Sequence, residues 1–137
     1  MEIDFLRNKF TINEAVQLNP LVLAFVGDAI YEVFVRRYLV EQNYDMSAHK
    51  LHVKAVSYVK AHSQSEIMKQ IKGALTEEEE RIFKRGRNAK SGTVPKNADV
   101  REYRMATGFE ALMGFLYLTN QLDRLNELMN MSIKIHG

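Results

Sequence analysis

Apolar residues along the chain recur at helical spacing, and no stretch shows the sustained alternation of a half-buried strand. The segment PLVLAFVGDAIYEVFV, Pro20 to Val35, is apolar almost all round. Asn19 followed by Pro20 marks its start: a capping side chain, then a proline at the first helical position, where the missing N–H costs nothing. That helix is expected to reach about Val40. Ser47 caps a second stretch, AHKLHVKAVSYVKAHSQSEIMKQI, with apolar positions 51, 55, 58, 59, 67, 68 and 71 and a break expected between His62 and Ser65. In GALTEEEERIFKRGRN, Thr76 stands three residues before Glu79 as a capping box, with acids in the first turn and bases in the last, the order the helix dipole favours. KSGTVPKNAD, with Gly92 and Pro95, reads as a loop. From about Asp99 a further helix runs through MATGFEALMGFLYLTN, and LDRLNELMNMSIKI closes the chain as an amphipathic helix. The expectation is an all-α fold in one domain, residues 1–137. Seven Gly and two Pro leave too few turns for a sandwich or barrel.

One residue breaks the apolar pattern. Asp28 sits in the middle of the first long helix, where nearly every neighbour favours burial. An unpaired buried charge costs several kcal/mol (roughly, after relaxation), so something must hold that ion or neutralise it. The oddity recurs at Glu110, the only charge in FEALMGFLYL. Two such helices packed side by side would join their acids, and like charges at close range raise each other's pKa unless a cation separates them. Magnesium suits that need, because it takes few protein ligands, keeps several waters and accepts phosphate oxygens. A lone acid in an apolar helix is more often a partner for Arg, Tyr or a free backbone N–H than a metal ligand. Gly27 and Gly114 speak for close helix packing.

Net charge is only +2, but its distribution is uneven. Between Arg81 and Arg104 stand eight Lys and Arg against Asp99 and Glu102, a local net of +6 on a remainder of −4. Such a block points to a polyanionic partner, or else to a solvated face. No cysteine is present, which excludes disulfides and thiolate metal sites. MEIDFLRNKF has no apolar core of the signal-peptide kind, and the longest apolar run falls short of the ~20 residues of a membrane span. A soluble, cytoplasmic protein without a membrane partner is expected. His49 and His52 lie one turn apart without a third zinc ligand and read as surface; His62 and His136 join no constellation.

LAFVGDAIYE (Leu23 to Glu32) and FEALMGFLYL (Phe109 to Leu118) resemble the two signature segments of the ribonuclease III catalytic domain, roughly L-E-F-L-G-D-A/S and D-x-x-E-A-L-I-G, in the family's order with a basic stretch between. The resemblance implies that Asp28 and Glu110 are magnesium ligands for cleavage of double-stranded RNA. Two positions depart from the pattern: Ala24 stands where the first motif has glutamate, and Thr107 where the second has an acid. RGRNAKS and VPKNADVREYRMATGFEALMGFLYL, the length, and the lack of a following double-stranded-RNA-binding domain resemble the compact bacterial Mini-III subfamily. That implies a homodimeric endonuclease maturing the ends of large-subunit (23S) ribosomal RNA precursor, with a ribosomal protein as a possible presenter of the substrate.

In this reading Asp28 and Glu110 hold the metal, and Thr107, one turn before Glu110, orients a metal-bound water. Lys84, Arg85, Arg87, Asn88, Lys90, Lys96, Arg101 and Arg104 face the RNA. Phe25, Tyr31 and Phe34 are dimer-interface candidates, although core packing is the commoner role for any single one. Two rivals remain open at this point: a non-catalytic RNA-binding module, favoured by the missing acids at 24 and 107, and a helical protein-interaction domain.

Overall fold

The computed structural model describes residues 2–90 and 94–136, and among them every regular element is helical. The helices are α1 (Ile12–Val16), α2 (Pro20–Gln42), α3 (Ala48–Val59), α4 (Ala61–Ile71), α5 (Glu77–Asn88), α6 (Val100–Leu118) and α7 (Leu122–His136), with a 3-10 turn at Lys72–Ala74. The all-α expectation holds. Of the expected loop, Gly92 lies outside the described residues, and the stretch around Pro95 is non-helical.

The start signals act as their chemistry dictates. Asn19 Oδ1 accepts from Leu21 N with Pro20 at the first position of α2, Ser47 accepts from Lys50 N, and Asp99 accepts from Arg101 N and Glu102 N. At α5, Thr76 Oγ1 accepts from Glu79 N at 3.2 Å while Glu79 Oε1 accepts from Thr76 N at 2.9 Å, closing the capping box. The same device, Thr11 with Glu14, starts the five-residue α1. Hydropathy did not disclose α1, because a single turn is too short to show a period.

The break in the second helical stretch falls at Lys60, earlier than expected. Lys60 takes an extended conformation (φ −66°, ψ 152°), which turns the chain between α3 and α4. The carbonyls freed at the end of α3 are met by side chains of α4: Ser63 Oγ donates to Ser57 O, and Gln64 Nε2 donates to Val59 O at 3.0 Å. Ser63 and Gln64 looked like the break because they are polar; they are the residues that satisfy it.

α6 forms the axis of the molecule, with α2, α4 and α5 packed around it. Phe109 and every residue from Ala111 to Leu116 are buried, as expected of a helix that is apolar all round. α2 crosses it in the opposite direction: Gly27 meets Glu110 and Gly114, while Gly114 meets Leu23. A β-carbon on Gly27 would overlap the Glu110 carbonyl oxygen, and one on Gly114 would overlap that of Leu23. Backbone atoms cannot swing aside, so only glycine permits this approach.

α2 departs from expectation. It buries Leu23, Ala24, Gly27, Tyr31, Val35 and Leu39, a single stripe at near-four-residue spacing. Its other side leaves Val22, Phe25, Ala29 and Val33 exposed, Phe25 by 78%. Asp28 stands on that exposed side.

Candidate active site

The glycine crossing positions the chemistry. Asp28 follows Gly27 on α2, and Glu110 is the residue of α6 whose carbonyl Gly27 touches. The two carboxyl groups thus come within hydrogen-bonding reach of each other. The burial expected of Asp28 is not met: its side chain faces solvent, and Glu110 is the half-buried member. Burial pushes the Glu110 carboxyl up, and the hydrogen bond and charge of Asp28 add to it, to about 8; the Gln64 amide pulls the other way. Glu110 therefore keeps its proton near neutrality unless a cation arrives. Among the described residues neither acid has an ion-pair partner. Nor do three or more His, Asp or Glu side chains gather there. The pair stands alone, as Ala24 and Thr107 at the motif positions imply. Thr107 Oγ1 donates to Tyr103 O at 2.9 Å, one turn back, so toward a water it offers only an acceptor.

The basic residues divide into two groups. Arg87, Asn88, Arg101 and Arg104 line one groove of about 570 Å³, joined there by Lys69 and Ser65 of α4. Arg101 and Arg104 of that groove lie on α6, the helix that carries Glu110. His62 Nδ1 contacts Glu102 Oε1 at 2.8 Å, and Glu102 belongs to the same wall. Lys69, Ser65 and Gln64 were not singled out from the sequence, because nothing in the spacing of α4 marks its polar residues as neighbours of α6. The others lie apart. Lys84 pairs with Glu80 at 3.0 Å on the exposed side of α5, and Lys90 and Lys96 stand exposed without joining the groove. Arg85 is a correction: its guanidinium donates to Val16 O at 2.8 Å and Leu18 O at 3.1 Å, tying α5 to the α1–α2 connection. With both terminal nitrogens so engaged, it acts as a structural clamp.

The three interface candidates also separate. Tyr31 is wholly buried, edge-on to Phe109 with ring centroids 5.0 Å apart, and its place is the core. Phe34 is half-buried against the core, in the groove between α2 and α7. Phe25 alone projects from the exposed side. His49 and His52 are exposed, as read.

Comparison with known proteins agrees with this geometry. The Ribonuclease III domain family matches residues 21–121, from the start of α2 to just past α6. The chain is 49% identical over 132 residues to Mini-ribonuclease 3 of Clostridium tetani, covering 96% of this chain and 87% of that protein. It is 55% identical over 123 residues to Mini-ribonuclease 3 of Enterococcus faecalis, covering 88% and 92%. A crystal structure of a Fusobacterium nucleatum protein shares the fold with a TM-score of 0.78 at 36% identity, over 86% of this chain and 93% of that one. With paired acids at the α2–α6 crossing where the family's motifs put them, the chain belongs to the ribonuclease III family, in its Mini-ribonuclease 3 branch, and is an endoribonuclease.

Proposed function

We propose that the chain cuts double-stranded RNA by magnesium-dependent hydrolysis, leaving a 5′-phosphate and a 3′-hydroxyl. The observation that carries this reading is the Asp28–Glu110 pair: two carboxyls within hydrogen-bonding reach of each other, without an ion-pair partner among the described residues, one of them on the helix that also carries the groove arginines Arg101 and Arg104. The donor set fits a hard divalent cation, which takes oxygen ligands and needs few from the protein. Asp28 and Glu110 would hold it. When bound, magnesium supplies positive charge against the phosphate and makes water a stronger acid. The protein's own part is positional: α6 holds Glu110 inside, while Asp28 presents its oxygens to the substrate side.

Arg87, Arg101, Arg104 and Lys69 would grip phosphates, since A-form RNA offers shape, phosphates and 2′-hydroxyls in place of a readable major groove. The exposed apolar stripe of Val22, Phe25, Ala29 and Val33 supports a homodimer, because a patch of that kind beside a site ordinarily meets a partner. A two-fold pair addresses both strands of a duplex. The resemblance supports 23S ribosomal RNA precursor as the substrate, a ribosomal protein as its presenter and the cytoplasm as the compartment. No described helix is long and apolar enough to cross a membrane.

The test is cleavage of a labelled RNA duplex by the purified chain with magnesium. Asp28→Asn and Glu110→Gln are each expected to lose more than about a hundredfold in rate, the upper end of what mere outer partners of a metal contribute, while duplex binding persists. Wild-type chain that binds duplex and cuts it with no divalent metal supplied would overturn the reading.

A further inference from the structure

Gln64 is a buried polar residue whose structural bonds leave part of it unexplained. It lies in the first turn of α4, 1% exposed, on a helix packed against α6. Its amide nitrogen donates one hydrogen to Val59 O at 3.0 Å. The same carboxamide is within hydrogen-bonding reach of Glu110, which gives its second hydrogen a destination. Its Oε1 is buried and has no protein partner. An acceptor left unmade in the interior is costly, so an orphan of this kind calls for a partner that completes it.

We propose that Gln64 is a positioning residue for a divalent cation at the acid pair: its amide nitrogen holds the Glu110 carboxylate in place, and its amide oxygen accepts a hydrogen bond from water of the hydrated ion. The inference rests on the cation reading of Asp28 and Glu110. With Nε2 tied to Val59 O and the carboxamide within reach of Glu110, the oxygen is the atom of the group that has no partner in the protein. A neutral amide is suited to the task. It offers an acceptor beside two carboxyls without adding a further negative charge to the pair. The tie to Val59 at the α3–α4 break holds the group in one orientation, so the contact is preorganised.

The experiment measures Mn2+ affinity of the full chain by electron paramagnetic resonance, without RNA, beside thermal melting with and without the metal. Gln64→Leu is expected to weaken Mn2+ binding about 10- to 100-fold, the range for groups that orient metal ligands, with duplex binding in EDTA retained. Both Gln64→Leu and the second arm, Gln64→Glu, cut the tie to Val59, so a purely structural loss moves both variants in the same direction. Gln64→Glu puts an anion at the same place and is expected to tighten Mn2+ binding while lowering the melting temperature of the metal-free chain. A purely structural Gln64 would leave Mn2+ affinity alone or shift it the same way in both. Unchanged affinity in Gln64→Leu, or affinity that fails to rise in Gln64→Glu, overturns the inference. Wild-type chain that neither binds Mn2+ nor cuts duplex overturns the cation reading itself, a result distinct from wild-type binding with unmoved variants.

Discussion

Glu79 and Glu110 both carry a carboxyl away from water, and they meet opposite company. Glu79 begins α5 and receives the Arg124 guanidinium in a fork, Nε to Oε2 and Nη2 to Oε1, each at 2.9 Å. The same Nη2 donates to Ala74 O at 2.6 Å, and Thr76 N donates to Oε1. Burial alone would raise the Glu79 carboxyl, but the Arg124 hydrogen bonds and the Thr76 N–H outweigh it and hold the group below the usual range. Glu110 has Asp28 in place of an arginine and is pushed up to about 8. Glu79 is complete within the protein and fastens α7 to the start of α5. Glu110 has no cation within the described residues and keeps its proton instead. An interior acid met by a cation serves the fold; an interior acid met by another acid and strongly shifted is a functional-site candidate.

The comparison breaks or sharpens under substitution. Arg124→Ala is expected to cost about 3 kcal/mol in a denaturant titration, because it leaves Glu79 buried without its partner. Glu110→Gln puts a neutral amide donor where the protonated acid stands and should leave stability near neutral pH unchanged, while cleavage is lost. Equal losses of stability in both variants would erase the distinction drawn here.

pH separates the same two acids with opposite sign. The contribution of Glu79 is present above its unfolded value near 4.5 and is lost as pH falls through its lowered folded value. That of Glu110 is present below 4.5 and is lost as pH rises toward about 8, since the folded chain then holds a proton that the unfolded chain has released. Melting temperature of the metal-free protein should therefore decline between about pH 5 and 8, and Glu110→Gln should flatten that decline. An identical slope in wild type and variant would remove the acid pair as its cause.

Two smaller effects extend the contrast to groups beyond the pair. Phe25→Ser should leave the protomer's folding stability within about 0.5 kcal/mol, as surface changes do. In sedimentation it should weaken self-association by about tenfold or more if the α2 stripe is the interface; unchanged association would free that face. Arg104→Ala should flatten the dependence of duplex affinity on salt by about one unit of log–log slope, as loss of one phosphate contact does. Arg85→Ala should leave the slope alone and lower stability instead, because its charge is already committed to Val16 and Leu18.

Much of this molecule was legible in one dimension. Caps at Asn19, Ser47, Thr76 and Asp99 act on the next few residues, so reading them needs no partner from afar. Asp28 and Glu110 announced themselves by being alone in apolar helices, and the family motifs gave them a shared purpose. The errors have one source. α2 and α6 look alike in hydropathy, yet α6 is enclosed and α2 shows Phe25 to solvent, because only α6 has neighbours on every side. The same blindness put Arg85 among the RNA contacts and left Tyr31 undivided between interface and core.

Local order, helix starts and the identity of the acids were thus determined by the sequence alone, since each depends on a residue and its near neighbours. Which cation is spent, which apolar face stays open and which amide reaches Glu110 were decided only when α2, α4 and α5 closed on α6. Those outcomes depend on groups tens of residues apart meeting within a few ångströms, and linear spacing carries no measure of that distance.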